Sequence, residues 1–168
     1  MNVKCKIAVT LVTFIMLCFN LGVFCQKIKK IKIMDLEKTI NESKGPLIVN
    51  FWATYCVPCL KEIPSFQQMA NQFKDKGVKL LLVSIDMKEA YPFKIISIAK
   101  KLKLNPPVYW LDETNADYFC PKVDSSWSGA LPSSLFIYNT KGYRKFFEDE
   151  LSKEKLEKEI QAMLGKTD

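Results

Sequence analysis

The sequence predicts an α/β fold in which a central mixed sheet carries helices on both faces. Two apolar runs, 46–52 and 78–85, are typical of buried parallel strands, and a segment with helical periodicity follows each of them. Two further segments, 133–138 and 143–147, flank the turn Asn-Thr-Lys-Gly, which is a hairpin signal. Parallel strand–helix units that end in a hairpin and a helix form such a sandwich.

The first 25 residues have the layout of a secretory signal. Two lysines precede an apolar run over 7–19, and cleavage is expected after Cys25. An uncleaved membrane anchor over 7–25 is the alternative, because that stretch nearly reaches the ~20 residues that a crossing needs. We therefore expect an exported protein, periplasmic or otherwise extracytoplasmic. Its single domain is expected over 26–168, and the three cysteines of the leader take no part in its redox chemistry.

Local signals predict the N-terminal part of this domain. Lysine alternates with isoleucine over 27–34, which favours an edge strand, and Asp35 is expected to cap a short helix over 35–43. The helix after the first buried strand is predicted to kink at Pro64 and to end at Gly77. Its apolar positions recur every three or four residues: Leu60, Ile63, Phe66, Met69, Ala70 and Phe73.

The C-terminal part alternates in the same way. A helix is predicted over 92–104, with Phe93 among its inward-facing residues, and a short strand over 108–111. A brief helix over 112–120 and a loop rich in Ser, Gly and Trp precede the hairpin. Ser152 is expected to cap a final amphipathic helix.

The reactive centre is predicted at two cysteines. Cys56 stands where a buried strand gives way to a helix, and Cys59 lies one turn later. A helix start stabilises an anion, and this position lowers a cysteine pKa from about 8.5 to roughly 3.5–7.5. The spacing also lets the sulfurs form a disulfide. We expect Cys56 to be the nucleophile and the more exposed of the two, and Cys59 to be the more buried, resolving cysteine.

Three other interpretations of the pair are weaker. A zinc site needs about four Cys or His ligands, and this chain has no histidine and one Cys-x-x-Cys. A c-type haem site requires histidine after the second cysteine, where Leu60 stands. A purely structural disulfide would close too short a loop to constrain the unfolded chain strongly.

The stretch from Phe51 to Cys59, Phe-Trp-Ala-Thr-Tyr-Cys-Val-Pro-Cys, resembles the active-site segment of thioredoxins. Its continuation from Leu60 to Pro64, Leu-Lys-Glu-Ile-Pro, is similar to that of the thiol–disulfide oxidoreductases of the TlpA/ResA type. The resemblance extends over about 27–164. It implies a thioredoxin-like sandwich and reactions with the disulfides or dithiols of protein clients.

The resemblance also implies roles for residues beyond the cysteines. Glu62 matches the glutamate thought to act as the acid–base group in the TlpA/ResA type, whereas thioredoxins carry a buried aspartate where this chain has Asn50. A solvated helix carboxylate is the alternative for Glu62. Pro132 matches the family's cis-proline, and Leu131 would then offer its main-chain N–H and C=O to an extended client.

Aromatic and apolar residues are expected to form the client-binding surface around Cys56. Its members are Trp52, Tyr55, Val57 and Pro58, and for Trp52 simple packing in the core is the favoured alternative. The two residues between the cysteines also tune the redox potential, and a proline before the second cysteine is similar to thioredoxin-like reductants. Trp127 is compatible equally with this surface and with the core. Cys120 is expected to be a buried free thiol, with a regulatory mixed disulfide as the alternative.

Composition narrows the chemistry further. The chain has 168 residues, 48% hydrophobic and 26% charged, which suits one globular domain. The absence of histidine excludes serine–histidine and cysteine–histidine mechanisms and most transition-metal sites. The net charge of +7 is spread along the chain rather than gathered into a basic stripe, so nucleic acid is not an expected partner.

The sequence therefore predicts an exported reductant of disulfides in extracytoplasmic proteins, with cytochrome c maturation as the client process that the family resemblance favours. We expect a monomer with no metal and no cofactor beyond the Cys56–Cys59 disulfide, reduced again by a membrane electron donor. The alternatives are a disulfide oxidant, a thiol peroxidase, and a metal-binding module without turnover. The peroxidase is disfavoured because Cys56 lacks the Pro-x-x-x-Thr-x-x-Cys context of those enzymes.

Overall fold

The computed structural model describes residues 28–165, so the signal or anchor predicted over 1–25 lies outside the described residues. Six strands form one sheet: β1 (Lys29–Ile31), β2 (Leu47–Trp52), β3 (Lys79–Ser84), β4 (Val108–Leu111), β5 (Ser133–Tyr138) and β6 (Tyr143–Phe147). Within 28–165 there are five α-helices: α1 (Ile33–Asn41), α2 (Val57–Gln72), α3 (Phe93–Lys101), α4 (Ala116–Val123) and α5 (Lys153–Met163). In that part of the chain no helix combines the length and apolar character that a bilayer crossing requires.

The sheet is mixed, as the sequence predicts. Its strand order is β1-β4-β3-β2-β5-β6. The strands β1, β4, β3 and β2 are parallel to one another, whereas β5 is antiparallel to both β2 and β6. β2 therefore lies at the centre of the sheet, between its parallel and its antiparallel parts.

Every residue of β2 is buried, and alternate side chains enter two separate cores. Ile48 and Trp52 pack on the face covered by α2, α3 and α5, whereas Val49 and Phe51 pack on the face covered by α1 and α4. Burial of each such side chain contributes about 1.5–3 kcal/mol to stability. The prediction of helices on both faces is confirmed.

The start of α1 differs from the expectation. Lys32 is its N-cap residue, and Asp35 lies inside the first turn instead of capping the helix. The Ile33 N–H donates to the Glu113 side chain at 3.1 Å. A carboxylate distant in sequence thus satisfies the donor at the helix start, so the cap cannot be read from neighbouring residues.

Two later expectations are also corrected. Phe93 does not face the core but is 82% exposed, because α3 begins at this residue and buries Ile95 and Ala99 instead. The helix predicted over 112–120 runs from Ala116 to Val123 as α4. It begins late because Asp112 still belongs to the sheet edge, where its N–H donates to the Ile31 carbonyl at 2.9 Å, and Asn115 is the N-cap residue.

The hairpin and the last helix follow the prediction. Gly142 closes the turn between β5 and β6 with φ +64°, a left-handed conformation that favours glycine. The Ser152 side chain accepts a hydrogen bond from the Lys155 N–H at 3.2 Å and caps α5. Leu156, Ile160 and Met163 then face the core.

Candidate active site

Cys56 and Cys59 form a disulfide at the start of α2. Cys56 is the N-cap residue, Cys59 lies in the first turn, and their Cα atoms are 5.3 Å apart. The Cys59 N–H donates to the Cys56 Sγ at 3.3 Å, which is the contact that would stabilise a thiolate there. Cys56 is 8% exposed and Cys59 is fully buried, so the expected difference in access is confirmed.

Cys56 lies in a groove of about 460 Å³. Its lining comes from the start of α2 on one side and from the loop before β5 on the other: Tyr55, Cys56, Val57, Pro58, Gly129 and Leu131. Tyr55 and Val57 are 65% and 60% exposed. The Leu131–Pro132 peptide bond is cis, as expected. The structure thus brings together most of the predicted site residues.

Two tryptophans lie elsewhere. Trp52 is completely buried beneath the cysteine helix, so the expectation that it lines the client-binding surface is wrong. It is the last residue of β2, and because helices cover both faces of this strand its side chain enters a core rather than the groove. Trp127 is also buried, with its ring centroid 4.6 Å from that of Phe51.

Glu62 is inside the protein, three residues after Cys59 on α2. It is 3% exposed, which rules out the solvated carboxylate considered as its alternative. Its Oε1 accepts a hydrogen bond from the Asn50 side chain at 2.8 Å, and its Oε2 accepts one from the Leu151 N–H at 3.0 Å. The carboxylate is therefore held between the central strand and the segment before α5.

The surroundings of Glu62 favour its neutral form. Burial raises the pKa of Glu62 from 4.5 to about 7, although hydrogen bonds from Leu151 and Asn50 act in the opposite direction. Nearby Glu150 raises the pKa slightly further. A carboxyl group that titrates near neutrality can accept or release a proton under ordinary conditions.

Asn50 has a positioning role that the sequence analysis missed. Its amide donates to Glu62 and also to the Ser134 Oγ at 3.0 Å, and Ser134 follows Pro132 by two residues. The amide thereby connects the acid–base candidate to the strand that begins at the cis-proline. A polar residue inside an otherwise apolar strand was the available signal.

A second buried carboxylate fixes the segment before Cys56. Asp86 accepts hydrogen bonds from the Thr54 N–H at 2.9 Å, from the Thr54 hydroxyl at 2.6 Å and from the Ser84 hydroxyl at 2.8 Å. Both Thr54 and Asp86 are buried. An aspartate directly after an apolar strand was the signal for this contact, and the sequence analysis did not use it.

Cys120 is a free, buried thiol on α4. Burial raises the pKa of this thiol to about 11, with the negative charges of Glu148 and Asp117 acting in the same direction. It is therefore a protonated, apolar filler at neutral pH. Among residues 28–165, no group of three or more Cys, Asp or Glu side chains is arranged to hold a metal ion.

Comparison with known proteins extends this picture. Residues 19–141 match the AhpC/TSA family. The thiol-disulfide oxidoreductase ResA of Bacillus cereus is 31% identical over 134 residues, which are 79% of this chain and 68% of that relative. ResA of Oceanobacillus iheyensis is 46% identical over 56 residues, which are 33% of this chain and 26% of that relative.

A solved structure supports the fold independently. The thioredoxin-related protein from Neisseria meningitidis serogroup B has a TM-score of 0.62 and 23% sequence identity, covering 74% of this chain and 88% of that chain. The likeness shows that the mixed sheet and its helices are arranged as in thioredoxin-like proteins. Taken with the match over residues 19–141 and the ResA relative, it means that this chain belongs to the AhpC/TSA family and is a thioredoxin-like thiol–disulfide oxidoreductase of the ResA type.

Proposed function

We propose that this enzyme is exported and acts as a reductant, passing two electrons from the Cys56–Cys59 dithiol to disulfides of extracytoplasmic proteins. The observation that carries the mechanism is the buried Glu62 carboxyl, whose pKa is raised to about 7 and which lies one helical turn after Cys59. A resolving cysteine inside the protein needs such a proton acceptor. Export is supported by the signal-like pattern of residues 1–25, and the reducing direction by Pro58.

The first step is nucleophilic attack by Cys56. Its sulfur stands at the start of α2, where the Cys59 N–H and the helix dipole favour the thiolate. The thiolate attacks one sulfur of the client disulfide, and a mixed disulfide forms as the client's own bond breaks. The second client sulfur leaves as a thiolate and takes a proton from water.

The second step releases the client. The Cys59 thiol gives its proton to the Glu62 carboxylate, and the Cys59 thiolate attacks the Cys56 Sγ. The enzyme disulfide closes while the bond between Cys56 and the client breaks. The client thiolate that leaves takes the proton from Glu62, so the client has gained two electrons from the dithiol and two protons, one from Cys59 through Glu62 and one from water.

The groove orients the client for this exchange. Tyr55, Val57 and Pro58 offer apolar surface on one side of Cys56, and Leu131 lies on the other. An extended client segment pairs with the main chain of Leu131 next to Pro132, in the manner of strand addition. The pairing holds the client sulfur over Cys56.

The proposed function also includes the electron donor, the oligomeric state and the client of the enzyme. A membrane electron donor reduces the Cys56–Cys59 disulfide after each cycle, and the enzyme works as a monomer. Oxidised apocytochrome c, with its pair of cysteines, is the client that we propose, in line with a role in cytochrome c maturation.

Trapping tests the assignment of the two cysteines. We expect Cys59→Ser, reduced and mixed with oxidised apocytochrome c, to accumulate a mixed disulfide through Cys56 that dithiothreitol releases. Cys56→Ser is the matched control and should form none. A trapped complex with Cys56→Ser, or none with Cys59→Ser, would contradict the proposed order of attack.

The redox potential tests the direction. Equilibration with a thiol–disulfide buffer should give a value near the roughly −270 mV of thioredoxin. A value near about −120 mV would identify a disulfide oxidant instead. Rapid oxidation of Cys56 by hydrogen peroxide would favour the peroxidase alternative.

A further inference from the structure

The loop that forms the far wall of the groove is tied to one carboxylate. Glu148 follows β6, and its Oε1 accepts hydrogen bonds from the Ser128 N–H at 3.0 Å, the Ser128 hydroxyl at 2.6 Å and the Ala130 N–H at 2.8 Å. Its Oε2 accepts a further contact from the Ser128 N–H at 3.2 Å. A single side chain thus satisfies both ends of a three-residue loop.

The same loop is held from its other side by the core. The Trp127 indole N–H donates to the Ala130 carbonyl at 3.0 Å. Between these contacts Gly129 has φ +95°, a conformation that only glycine adopts readily. Carboxylate and indole together fix a backbone shape that the loop would not keep unaided.

The Glu148 side chain is ionised while it accepts these hydrogen bonds from the loop. Burial alone would raise the pKa of Glu148, but the hydrogen bonds from Ser128, Ala130 and Gly129 outweigh it and lower the pKa below its ordinary value. The carboxylate is ionised at neutral pH, and hydrogen bonds to an ionised acceptor are about twice as strong as neutral ones.

The loop leads directly to the groove. Gly129 and Leu131 line it opposite Cys56, whereas Glu148 does not reach it. Any effect of the carboxylate on the reaction therefore acts through the loop backbone. A protein client that pairs with Leu131 depends on that backbone, whereas a small disulfide needs only the Cys56 sulfur.

We propose that Glu148 is a positioning residue that holds the Ser128–Ala130 loop in the shape that a protein client binds. The inference rests on the proposed use of the groove by clients. Because the loop is ordered in advance, a client does not have to order it on binding. Without the carboxylate, the client must order the loop as it binds, and this entropy cost weakens client binding. The chemistry of the cysteines stays intact.

The test compares two substrates in steady-state assays. Insulin serves as the protein disulfide, and 5,5′-dithiobis(2-nitrobenzoate) serves as a small disulfide that needs no groove. We expect Glu148→Ala to raise the KM for insulin about tenfold with little change in kcat, and to leave the small disulfide unaffected. Glu148→Gln keeps one acceptor and should show a smaller rise.

Asp149→Asn is the control for charge. Asp149 is the adjacent, exposed carboxylate, and no side-chain hydrogen bond ties it to the loop. It should behave like the parent with both substrates. An equal loss of activity towards both substrates in the Glu148 variants, or an unchanged KM for insulin, would overturn the inference.

A Pro132→Ala variant separates this inference from the groove itself. If Pro132→Ala impairs insulin reduction and neither Glu148 variant does, the positioning role is wrong and the groove stands. If neither site affects insulin, the proposed client-binding groove is wrong as well. If Glu148→Ala does not fold, Glu148→Gln provides the test through its KM for insulin relative to that of the parent.

Discussion

Replacement of Glu62 by glutamine should remove a pH dependence of stability. In the folded protein, burial raises the pKa of Glu62 from 4.5 to about 7. The folded state therefore binds a proton more tightly than the unfolded state between these two values. Each pKa unit corresponds to about 1.36 kcal/mol, so the ionised carboxylate costs about 3 kcal/mol of folding free energy.

The direction of the effect follows from the same difference. Below about pH 4.5 the carboxyl is neutral in both states, and the cost is absent. Between about pH 4.5 and 7 the carboxyl ionises in the unfolded chain but keeps its proton in the folded protein, so stability falls across this range and levels off, with the full cost reached, above about pH 7. Glutamine resembles the neutral carboxyl in shape and cannot ionise. The free energy of unfolding of the variant should therefore rise relative to that of the parent as the pH rises.

Urea unfolding of the oxidised proteins measures this gain. The free energies of unfolding of parent and Glu62→Gln are compared at about pH 4, pH 6 and pH 8, and their difference should change by about 3 kcal/mol over the range. Glu42→Gln, at an exposed carboxylate, should show no such trend. A difference between parent and Glu62→Gln that stays constant with pH would refute the raised pKa and, with it, the acid–base argument.

Four further experiments, three with substitutions and one with an alkylating reagent, test other parts of the structure. In single-turnover reactions, Glu62→Gln should slow attack by Cys59 and lose the inflection near pH 7; pH–rate profiles identical to those of the parent would exclude the acid–base role. Asp86→Ala leaves three buried donors unpaired and should cost about 3–5 kcal/mol in urea unfolding, whereas a loss under about 1 kcal/mol would show that the contacts are replaced. Alkylation of folded, oxidised enzyme by iodoacetamide should leave Cys120 unmodified by mass spectrometry, because the thiol is buried with its pKa raised to about 11; rapid labelling would contradict this. Ser152→Ala should lower stability by about 1 kcal/mol through loss of the α5 cap, and an unchanged urea midpoint would argue against that cap.

Local patterns predicted the strands well. β2, β4, β5 and β6 begin and end within one residue of the predicted segments, because each segment is short and bounded by turn residues. The start of α1 was missed because its capping carboxylate, Glu113, comes from a distant part of the chain. A sequence pattern detects partners a few residues apart and has no means of pairing residues 80 positions apart.

For the candidate site as well, the sequence identified residues that are close together in the chain but not the contacts between distant residues. The cysteine pair and Glu62 occupy one continuous stretch with a recognisable spacing, so the sequence identified them. The contacts that support them were not predicted, since Asn50 meets Ser134 across 84 positions and Thr54 meets Asp86 across 32. Trp52 shows the reverse error, because its closeness in sequence to Cys56 suggested a surface role, whereas helices cover both faces of β2 and bury it.

The reactive groups of the site lie in one continuous stretch of the chain. Both sulfurs and the carboxyl of Glu62 belong to a single helical segment of seven residues, Cys56 to Glu62, so their mutual spacing is set by helix geometry alone. What the distant residues contribute is shelter from water, which makes that carboxyl a usable base. Transplanted onto an exposed helix, the segment would keep its layout and its cysteine pair but lose the raised pKa of Glu62.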